Sequence, residues 1–423
     1  MNNTVYDVIV VGGGFAGLSA SYYLKKRGLN HLVFERAKIG ESWRSLRWDS
    51  FMLNSTNILN LLPGQDCGEN DPDGFDSAKG LANAMEKYAD QQQLPVLENS
   101  KVVSIEKQDE LFSVSVISNG VGEKNLSKQI LIASGVSNEI KIPAIAQKVS
   151  TDVQQLHSCE YRNAEQLTDG AVLVVGSAQS GIQIANDLLN AGRKVFIATS
   201  KVARIPRWYR GRDIFYWLED IGFFDVKAEE ITDPDVFIQK PPQVPGGTNG
   251  NNTISLQSLA KKGLVILGRL DAADGDELSF QDNAPLHIRF ADESSKRIKA
   301  MIDEYITNKS LSAPEPHLDE ADIPDSTYSS SAGITSLNLK ENSIKSIIWA
   351  TGFNHGYSYI KLPVFNNEGK LKHNKGVPEV PGIYFLGYPW LLTRKSGILF
   401  GMAEEAKFIT DCIYKNAAIK EMK

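Results

Sequence analysis

Apolar and polar residues are grouped along the chain in a way that predicts alternating strands and helices. Four consecutive apolar residues at 8–11 predict a strand buried on both faces, and a helical segment follows that ends at Gly28. A shorter apolar run at 32–34 predicts the next strand. The same succession recurs at 172–198, where two apolar runs flank a second helical segment. The pattern therefore predicts two α/β units in one chain.

A glycine-rich turn connects the first strand to its helix. Gly12 permits the tight turn, Gly14 lets backbone N–H groups approach a pyrophosphate, and Gly17 lets the helix lie close to the strand. Glu35 ends the next strand, where a carboxylate can accept a hydrogen bond from a ribose hydroxyl. This order of elements is the whole dinucleotide-binding fingerprint, and a glycine turn in a non-binding unit is the alternative. The turn positions predicted to contact the nucleotide are Gly12, Gly14, Phe15, Ala16 and Gly17.

The second unit repeats this order of elements with two differences. Ala178 replaces the middle glycine, and Thr199 stands where the ribose-binding acid is expected. Without that carboxylate a 2′-phosphate is not repelled, and the nearby Lys201 and Arg204 can pair with one. We therefore expect NADPH in preference to NADH; the alternative is that both cations are solvated surface residues. The predicted contacts are Gly176, Ser177, Ala178, Gln179, Ser180, Gly181, Ser200, Lys201 and Arg204.

The composition excludes several other classes of protein. The 423 residues carry a net charge of −6, and 42% of them are hydrophobic, which is typical of a folded globular chain and argues against nucleic-acid binding. Cys67, Cys159 and Cys412 are too few and too scattered for a disulfide framework, a metal site or a dithiol redox pair. The chain shows neither a secretory signal nor a membrane-spanning apolar run, so we expect a cytoplasmic protein without a membrane partner.

Two dinucleotide-binding units in one chain suggest an electron relay between FAD and a nicotinamide. Two further segments resemble those of the class B flavin-dependent monooxygenases, the superfamily of flavin-containing and Baeyer–Villiger monooxygenases. Residues 40–44 resemble the segment that packs against the flavin after the ribose acid. Residues 349–353, Trp-Ala-Thr-Gly-Phe, resemble the segment that links the NADPH domain back to the FAD domain.

A third segment resembles the end of the superfamily motif F-x-G-x-x-x-H-x-x-x-[YFW]. His157 and Tyr161 have the required spacing, whereas Thr151 and Val153 replace the expected Phe and Gly. Tyr161 is followed by Arg and not by the Pro or Asp that Baeyer–Villiger enzymes usually carry, which favours the flavin-containing monooxygenase side.

The resemblance also implies site residues. Asn54 lies near the position where flavin-containing monooxygenases place an active-site Asn beside the flavin, with Asn57 as a competing candidate. His157 is assigned a catalytic part, and the alternative is a structural histidine in the hinge. Ser396 is the expected N-cap of a last helix whose N-terminus faces the flavin. Further residues assigned to cofactor binding are Glu35, Arg36, Trp43, Arg44, Val103, Gly135, Gly352, Gly387 and Gly397.

The predicted fold is α/β, with two doubly wound Rossmann-like domains and the NADPH domain inserted in the FAD domain. We assign residues 1–163 and 333–423 to the FAD domain and 164–332 to the NADPH domain, which includes a turn-dense loop at 241–252 and a surface stretch at 326–331. The sequence leaves the oligomeric state open, and a homodimer is common in the resembled superfamily.

The expected reaction follows from the resemblance. NADPH reduces FAD, O2 adds to give a C4a-(hydro)peroxide, and one oxygen is transferred to nucleophilic nitrogen or sulfur of a small molecule. The alternatives are Baeyer–Villiger oxygenation of a ketone, an NADPH oxidase or dehydrogenase, and a sensor that only binds FAD and NADPH.

Overall fold

The structure is a computed structural model that describes residues 4–237, 241–244, 253–324 and 333–421, without the side chains of 419–421. The residues at 245–252 of the turn-dense loop and the stretch at 326–331 lie outside the described residues. The helices are α1 (Phe15–Lys26), α2 (Glu41–Ser45), α3 (Ala78–Gln91), α4 (Gln179–Asn190), α5 (Ile214–Asp220), α6 (Leu256–Ala260), α7 (Ala284–Lys309) and α8 (Met402–Glu421).

The described strands form two main sheets and three small ones. The main-sheet strands are β1 (Val5–Val11), β2 (His31–Phe34), β3 (Val96–Leu97), β4 (Ser100–Gln108), β5 (Leu111–Ser118), β6 (Val121–Ile132), β7 (Gln154–His157), β8 (Ala171–Val175), β9 (Val195–Ala198), β10 (Val265–Leu267), β11 (Ile344–Trp349) and β12 (Ile383–Phe385). The short strands are Glu139–Ile140, Trp208–Tyr209, Arg212–Asp213, Leu270–Asp274, Glu277–Phe280, Ser336–Asn338 and Phe353–Asn354.

The first sheet combines a parallel and an antiparallel half. Its order is β3-β2-β1-β6-β5-β4, with β12 pairing in parallel to β6. Strands β4, β5 and β6 form an antiparallel meander. Val8, Ile9 and Val10 of β1 are fully buried. Val8 and Val10 pack against helices on one face, and Ile9 packs with apolar residues of the meander on the other. Strand β12, near the end of the chain, therefore belongs to the same sheet as β1.

The second sheet is parallel throughout, in the order β10-β9-β8-β11-β7. Two of its strands, β7 and β11, lie outside the segment 164–332 that the sequence assigned to this domain. The reason is packing: Ile347, Ile348 and Trp349 of β11 are almost fully buried and need β8 and β7 on either side. The predicted α/β architecture with two Rossmann-like units is confirmed. Among the described residues, no helix is both long and apolar enough to cross a membrane.

Candidate active site

The first glycine turn has the geometry of a dinucleotide cradle. Gly12 has a φ of +110°, and a Cβ there would lie 2.6 Å from the carbonyl oxygen of Ala133. A Cβ on Gly17 would lie 1.9 Å from the carbonyl oxygen of Gly12, so α1 can approach β1 only with glycine at 17. A Cβ on Gly14 would meet no atom within 4 Å. Because Gly14 is the N-cap of α1, this open space lies where backbone N–H groups attract a phosphate.

Glu35 is held against this turn. One carboxylate oxygen accepts from the Gly13 N–H at 2.7 Å and the other from the Ala37 N–H at 3.0 Å. Burial raises the pKa of Glu35, and the two backbone donors oppose that shift. Each carboxylate oxygen keeps a further lone pair. The residue can therefore accept a ribose hydroxyl, as the sequence predicts, while the exposed Arg36 lies next to it.

Other residues assigned to the FAD site have structural partners of their own. Arg44 donates to Asn83 at 2.8 Å and to Glu86 at 2.7 Å, so it ties α2 to α3. Trp43 lies beneath the guanidinium of Arg47, 4.9 Å from the ring centre. Val103 is half-buried at an irregularity of β4. These contacts support the walls of the site.

The backbone around Gly135 and Gly387 adjoins the first glycine turn. The Gly135 carbonyl accepts from Asn138 at 2.8 Å, and the loop just before it packs so closely on Gly12 that no Cβ fits between them. A Cβ on Gly387 would lie 3.2 Å from the Cβ of Ala16, which with Phe15 forms the buried first turn of α1. The end of β12 thus meets the N-terminus of α1, as the resemblance implies.

The last helix begins later than the sequence predicts. It starts at Met402 after a 3-10 turn at Leu399–Gly401, so Ser396 is not its N-cap, and Gly397 lies in the exposed loop before it. The Ser396 hydroxyl instead accepts from the Leu392 N–H at 2.9 Å and donates to the carboxylate of Glu405. The Ser396 oxygen is not free to cap a helix, because it already accepts from the Leu392 and Thr393 N–H groups.

Glu405 gives a pH prediction. It is 3% exposed, its Oε2 has no partner among the described residues, and burial raises its pKa to about 7. An exposed glutamate has a pKa of about 4.3. Between these values the folded state binds more protons than the unfolded state, so Glu405 lowers the free energy of unfolding as the pH rises through that window. Glu405→Gln should therefore stabilise the protein by about 3 kcal/mol at pH 8 and have little effect at pH 4.5.

Thermal unfolding of the flavin-loaded protein at both pH values measures this difference. Glu404→Gln, at an exposed neighbouring carboxylate that bonds Lys395, is the matched control and should show no such gain. A gain from Glu405→Gln that is equal at the two pH values would contradict the assignment.

The second glycine turn repeats the geometry of the first. Gly176 has a φ of +106°, and a Cβ there would lie 2.5 Å from the carbonyl oxygen of Ala350. A Cβ on Gly181 would lie 1.8 Å from the carbonyl oxygen of Gly176. Ala178 is the N-cap of α4, and Ser180 lies in its first turn. The two units thus hold their helix N-termini in the same way.

A polar pocket follows the second turn. Ser200 Oγ and the Nε and Nη1 atoms of Arg204 are buried without a partner among the described residues. The remaining nitrogen of Arg204, Nη2, donates to Asp292 at 2.9 Å and Asp322 at 2.8 Å. Lys201 is exposed, with Nζ 4.7 Å from the ring centre of Phe290. Arg204 is therefore not solvated surface, although two carboxylates already occupy one of its nitrogens. The pocket is lined among others by Ser177, Ser200, Arg204, Gln243, His287 and Asp292.

Asn54 connects the two units. Its Oδ1 accepts from Gln179 Nε2 and Gln183 Nε2, each at 3.1 Å, so the loop after α2 is bonded to the start of α4. Asn57 has a different surrounding, because its Nδ2 donates to the Asp71 carbonyl at 2.9 Å in a nearby loop. Of the two candidates, the geometry favours Asn54 as the residue at the junction of the nucleotide sites.

His157 is fully buried between the two linking segments. Its Nε2 lies 2.9 Å from the carbonyl oxygen of Gly352, which can only accept, so Nε2 carries the hydrogen. Nδ1 then accepts from the Cys159 N–H at 3.3 Å. Burial lowers the pKa of His157, which favours the neutral ring. With both nitrogens engaged, the structural alternative is favoured over a direct catalytic part, and Gly352 is the acceptor that fixes the ring.

Two site residues, Gln183 and Glu405, were missed by the sequence analysis. Gln183 lies one helical turn after Gln179, a spacing that could have revealed it. Arg207 is fully buried and bonds the Asn54 carbonyl and Asp213. Glu405 has no local sequence signal, because its carboxylate becomes buried only in the fold.

Comparisons with known proteins agree with the fold. The pyridine nucleotide-disulphide oxidoreductase family model matches residues 9–219. An uncharacterized CzcO-like oxidoreductase of Geobacillus kaustophilus is 30% identical over 413 residues, 97% of this chain and 98% of the relative. A senecionine N-oxygenase of Tyria jacobaeae is 26% identical over 208 residues, which span 44% of this chain and 45% of the relative.

A solved structure of a flavin-containing monooxygenase from Stenotrophomonas maltophilia matches the fold, with a TM-score of 0.66 and 19% identity, and the match covers 98% of this chain and 99% of that one. The glycine turns, the two sheets and the relative matched over almost its whole length support the same family assignment. The chain belongs to the CzcO-like oxidoreductases.

Proposed function

We propose that the protein uses FAD and NADPH to insert one oxygen atom of O2 into a small organic substrate at a nucleophilic nitrogen or sulfur. The balance is substrate, O2, NADPH and a proton giving oxygenated product, NADP⁺ and water. One observation carries the proposal: two nucleotide cradles in a single chain are joined by the hydrogen bonds of Asn54 to α4. When bound, FAD supplies the hydride acceptor and the chemistry that activates O2.

The residues present fit these two cofactors. The open space at Gly14 and the N-terminus of α1 suit the FAD pyrophosphate, and Glu35 suits its ribose. The partnerless buried donors of Ser200 and Arg204 suit the ribose phosphate of NADPH. A buried donor without an acceptor is costly, so an anion in that pocket would be favourable.

Asn54 would act at the junction between the cofactors. Its Oδ1 is occupied by two glutamines, so its Nδ2 remains as the donor. A fixed donor in a water-poor cleft stabilises negative charge that develops during reaction.

Nitrogen or sulfur is proposed as the target on two grounds. Tyr161 is followed by Arg162, which favours the flavin-containing monooxygenase side of the superfamily. The relative from Tyria jacobaeae is named an N-oxygenase.

NADPH consumption with a panel of amines, sulfides, indoles and ketones, with product identification, tests this proposal. We expect an N- or S-oxygenated product formed with an equal amount of NADP⁺. An ester formed from a ketone would show Baeyer–Villiger chemistry instead. Hydrogen peroxide equal to the NADPH consumed with every compound would show an oxidase.

The preference for NADPH gives a separate prediction. Lys201→Gln removes an exposed cation beside the pocket of Arg204, and kcat/KM for NADPH should fall about tenfold while that for NADH is unchanged. Lys194→Gln is the matched control, because Lys194 is exposed at the opposite end of β9 and also lies over a phenylalanine ring. Steady-state rates with both nucleotides measure the ratio. An equal fall of kcat/KM with NADPH and with NADH would contradict the role of Lys201 in binding the 2′-phosphate.

A further inference from the structure

Three side-chain amides meet where the two units join. Gln179 and Gln183 lie one turn apart on α4, and both donate to Asn54 Oδ1 at 3.1 Å. We infer that Gln179 and Gln183 are positioning residues that fix the orientation of the Asn54 carboxamide, so that its Nδ2 is presented to the bound nicotinamide nucleotide. This inference rests on the proposed function, because it deepens the role of Asn54 in that site.

The orientation of these amides follows from a backbone group. The oxygen and nitrogen of an amide are assigned from their hydrogen-bond partners. Here the Val244 N–H, which can only donate, lies 2.9 Å from Gln179 Oε1. Gln179 must therefore turn its Nε2 toward Asn54, and Asn54 must turn its Oδ1 toward Gln179. Because Asn54 Oδ1 faces α4, Asn54 Nδ2 lies on the side away from this helix.

Gln183 follows the orientation that Gln179 imposes on Asn54. It is 9% exposed, and its Nε2 donates to the same Asn54 oxygen. The pair of glutamine donors makes the reverse orientation of Asn54 unfavourable, because two N–H donors would then face its NH2 group.

Arg207 anchors the backbone of the same residue. It donates to the Asn54 carbonyl oxygen and is itself bonded to Asp213, and both are almost completely buried. Asp187 lies one turn beyond Gln183 on α4 and accepts from Tyr161 at 2.6 Å and also from Ser50. Lys262 donates to Asn186 of the same helix at 3.4 Å. Both the backbone and the side chain of Asn54 are thus held by the unit that carries the second glycine turn.

Replacing Gln183 by glutamate tests the orientation. An ionised carboxylate at this position only accepts hydrogen bonds, so Asn54 should rotate to donate to it and present Oδ1 in place of Nδ2. For Gln183→Glu at pH 8.5 we expect kcat to fall about 10- to 100-fold and the Kd of NADP⁺ for the flavin-loaded protein to rise about tenfold. At pH 6 the buried carboxyl becomes protonated, donates again and restores most of both values.

Three further variants separate positioning from damage to the fold. Gln183→Met cannot donate or titrate, so it should show the same losses at both pH values. Gln91→Glu makes the same chemical change at an exposed position on α3 and should behave as the wild type. In an Asn54→Ala background, Gln183→Glu should cause no further loss of NADP⁺ affinity and a smaller shift of Tm than it causes alone.

The results distinguish the positioning role of Gln183 from the proposed function. A loss in Gln183→Glu that is independent of pH, or that is undiminished in the Asn54→Ala background, would overturn the positioning role even if the wild type oxygenates its substrate. A wild type that reduces no flavin with NADPH would instead defeat the proposed function, and the coupling of Asn54 and Gln183 in Tm would still report whether the contact orients the amide.

Discussion

Gly17→Ala should give a protein that cannot retain FAD, whereas Gly181→Ala should give one that stays yellow but is no longer reduced by NADPH. A Cβ at these positions would lie 1.9 Å and 1.8 Å from a backbone oxygen of the glycine turn, so the helix must move away from its strand. Overpacking of this kind costs about 3 kcal/mol. The displaced helix N-terminus then no longer meets its pyrophosphate.

Flavin content from the absorbance spectrum and anaerobic reduction by NADPH measure the two effects separately. Gly122→Ala is the control, because a Cβ there would meet no atom within 4 Å and Gly122 has no positive φ. If Gly181→Ala lost its flavin while retaining reduction by NADPH after FAD was added, the order of the two sites in the chain would be reversed.

The parts of the site that could be predicted from the sequence are those that a short segment specifies by itself. Gly17 and Glu35 belong to a strand-turn-helix-strand unit, and their close contacts are with Gly12 and Gly13 of the same segment. The buried face of α5, which includes Ile214, Trp217 and Leu218, follows from helical periodicity in the same way. Local geometry and residue spacing are sufficient for such elements.

The remaining features depend on contacts between distant segments. Ser396 has the sequence signal of an N-cap, but in the fold its hydroxyl meets the buried carboxylate of Glu405 and the helix begins later. The spacing of His157 matches a superfamily motif, yet its ring is occupied by Gly352, which lies nearly two hundred residues away in sequence. Spacing identifies a residue, whereas tertiary partners decide what it does.

The junction shows how the two units are coupled. Asn54 belongs to the chain segment of the first unit, but its fixed contacts are with α4 and the segment around Arg207. A nucleotide that binds at the second glycine turn therefore contacts the helix that holds Asn54. A shift of α4 would move the two glutamine donors that hold the Asn54 side chain.

Arg207→Met should be among the most destabilising substitutions in the protein, with a loss of about 3–5 kcal/mol. Arg207 is fully buried, and its Nε donates to the equally buried Asp213 at 2.9 Å. Removing the guanidinium leaves an uncompensated buried carboxylate, which is costly. Urea denaturation of the flavin-loaded variant measures the loss in free energy of unfolding.

A second variant separates this electrostatic loss from positioning. Arg207→Met combined with Asp213→Asn removes both charges and keeps a side chain that can cap α5, so most of the free energy of unfolding should return. NADP⁺ affinity should not return, because the Asn54 carbonyl still lacks its donor. Arg212→Met is the control, since the Arg212–Asp220 ion pair is about 40% exposed and its loss should cost less than about 1 kcal/mol. Full recovery of NADP⁺ affinity in the double variant would show that Arg207 stabilises the fold without positioning Asn54.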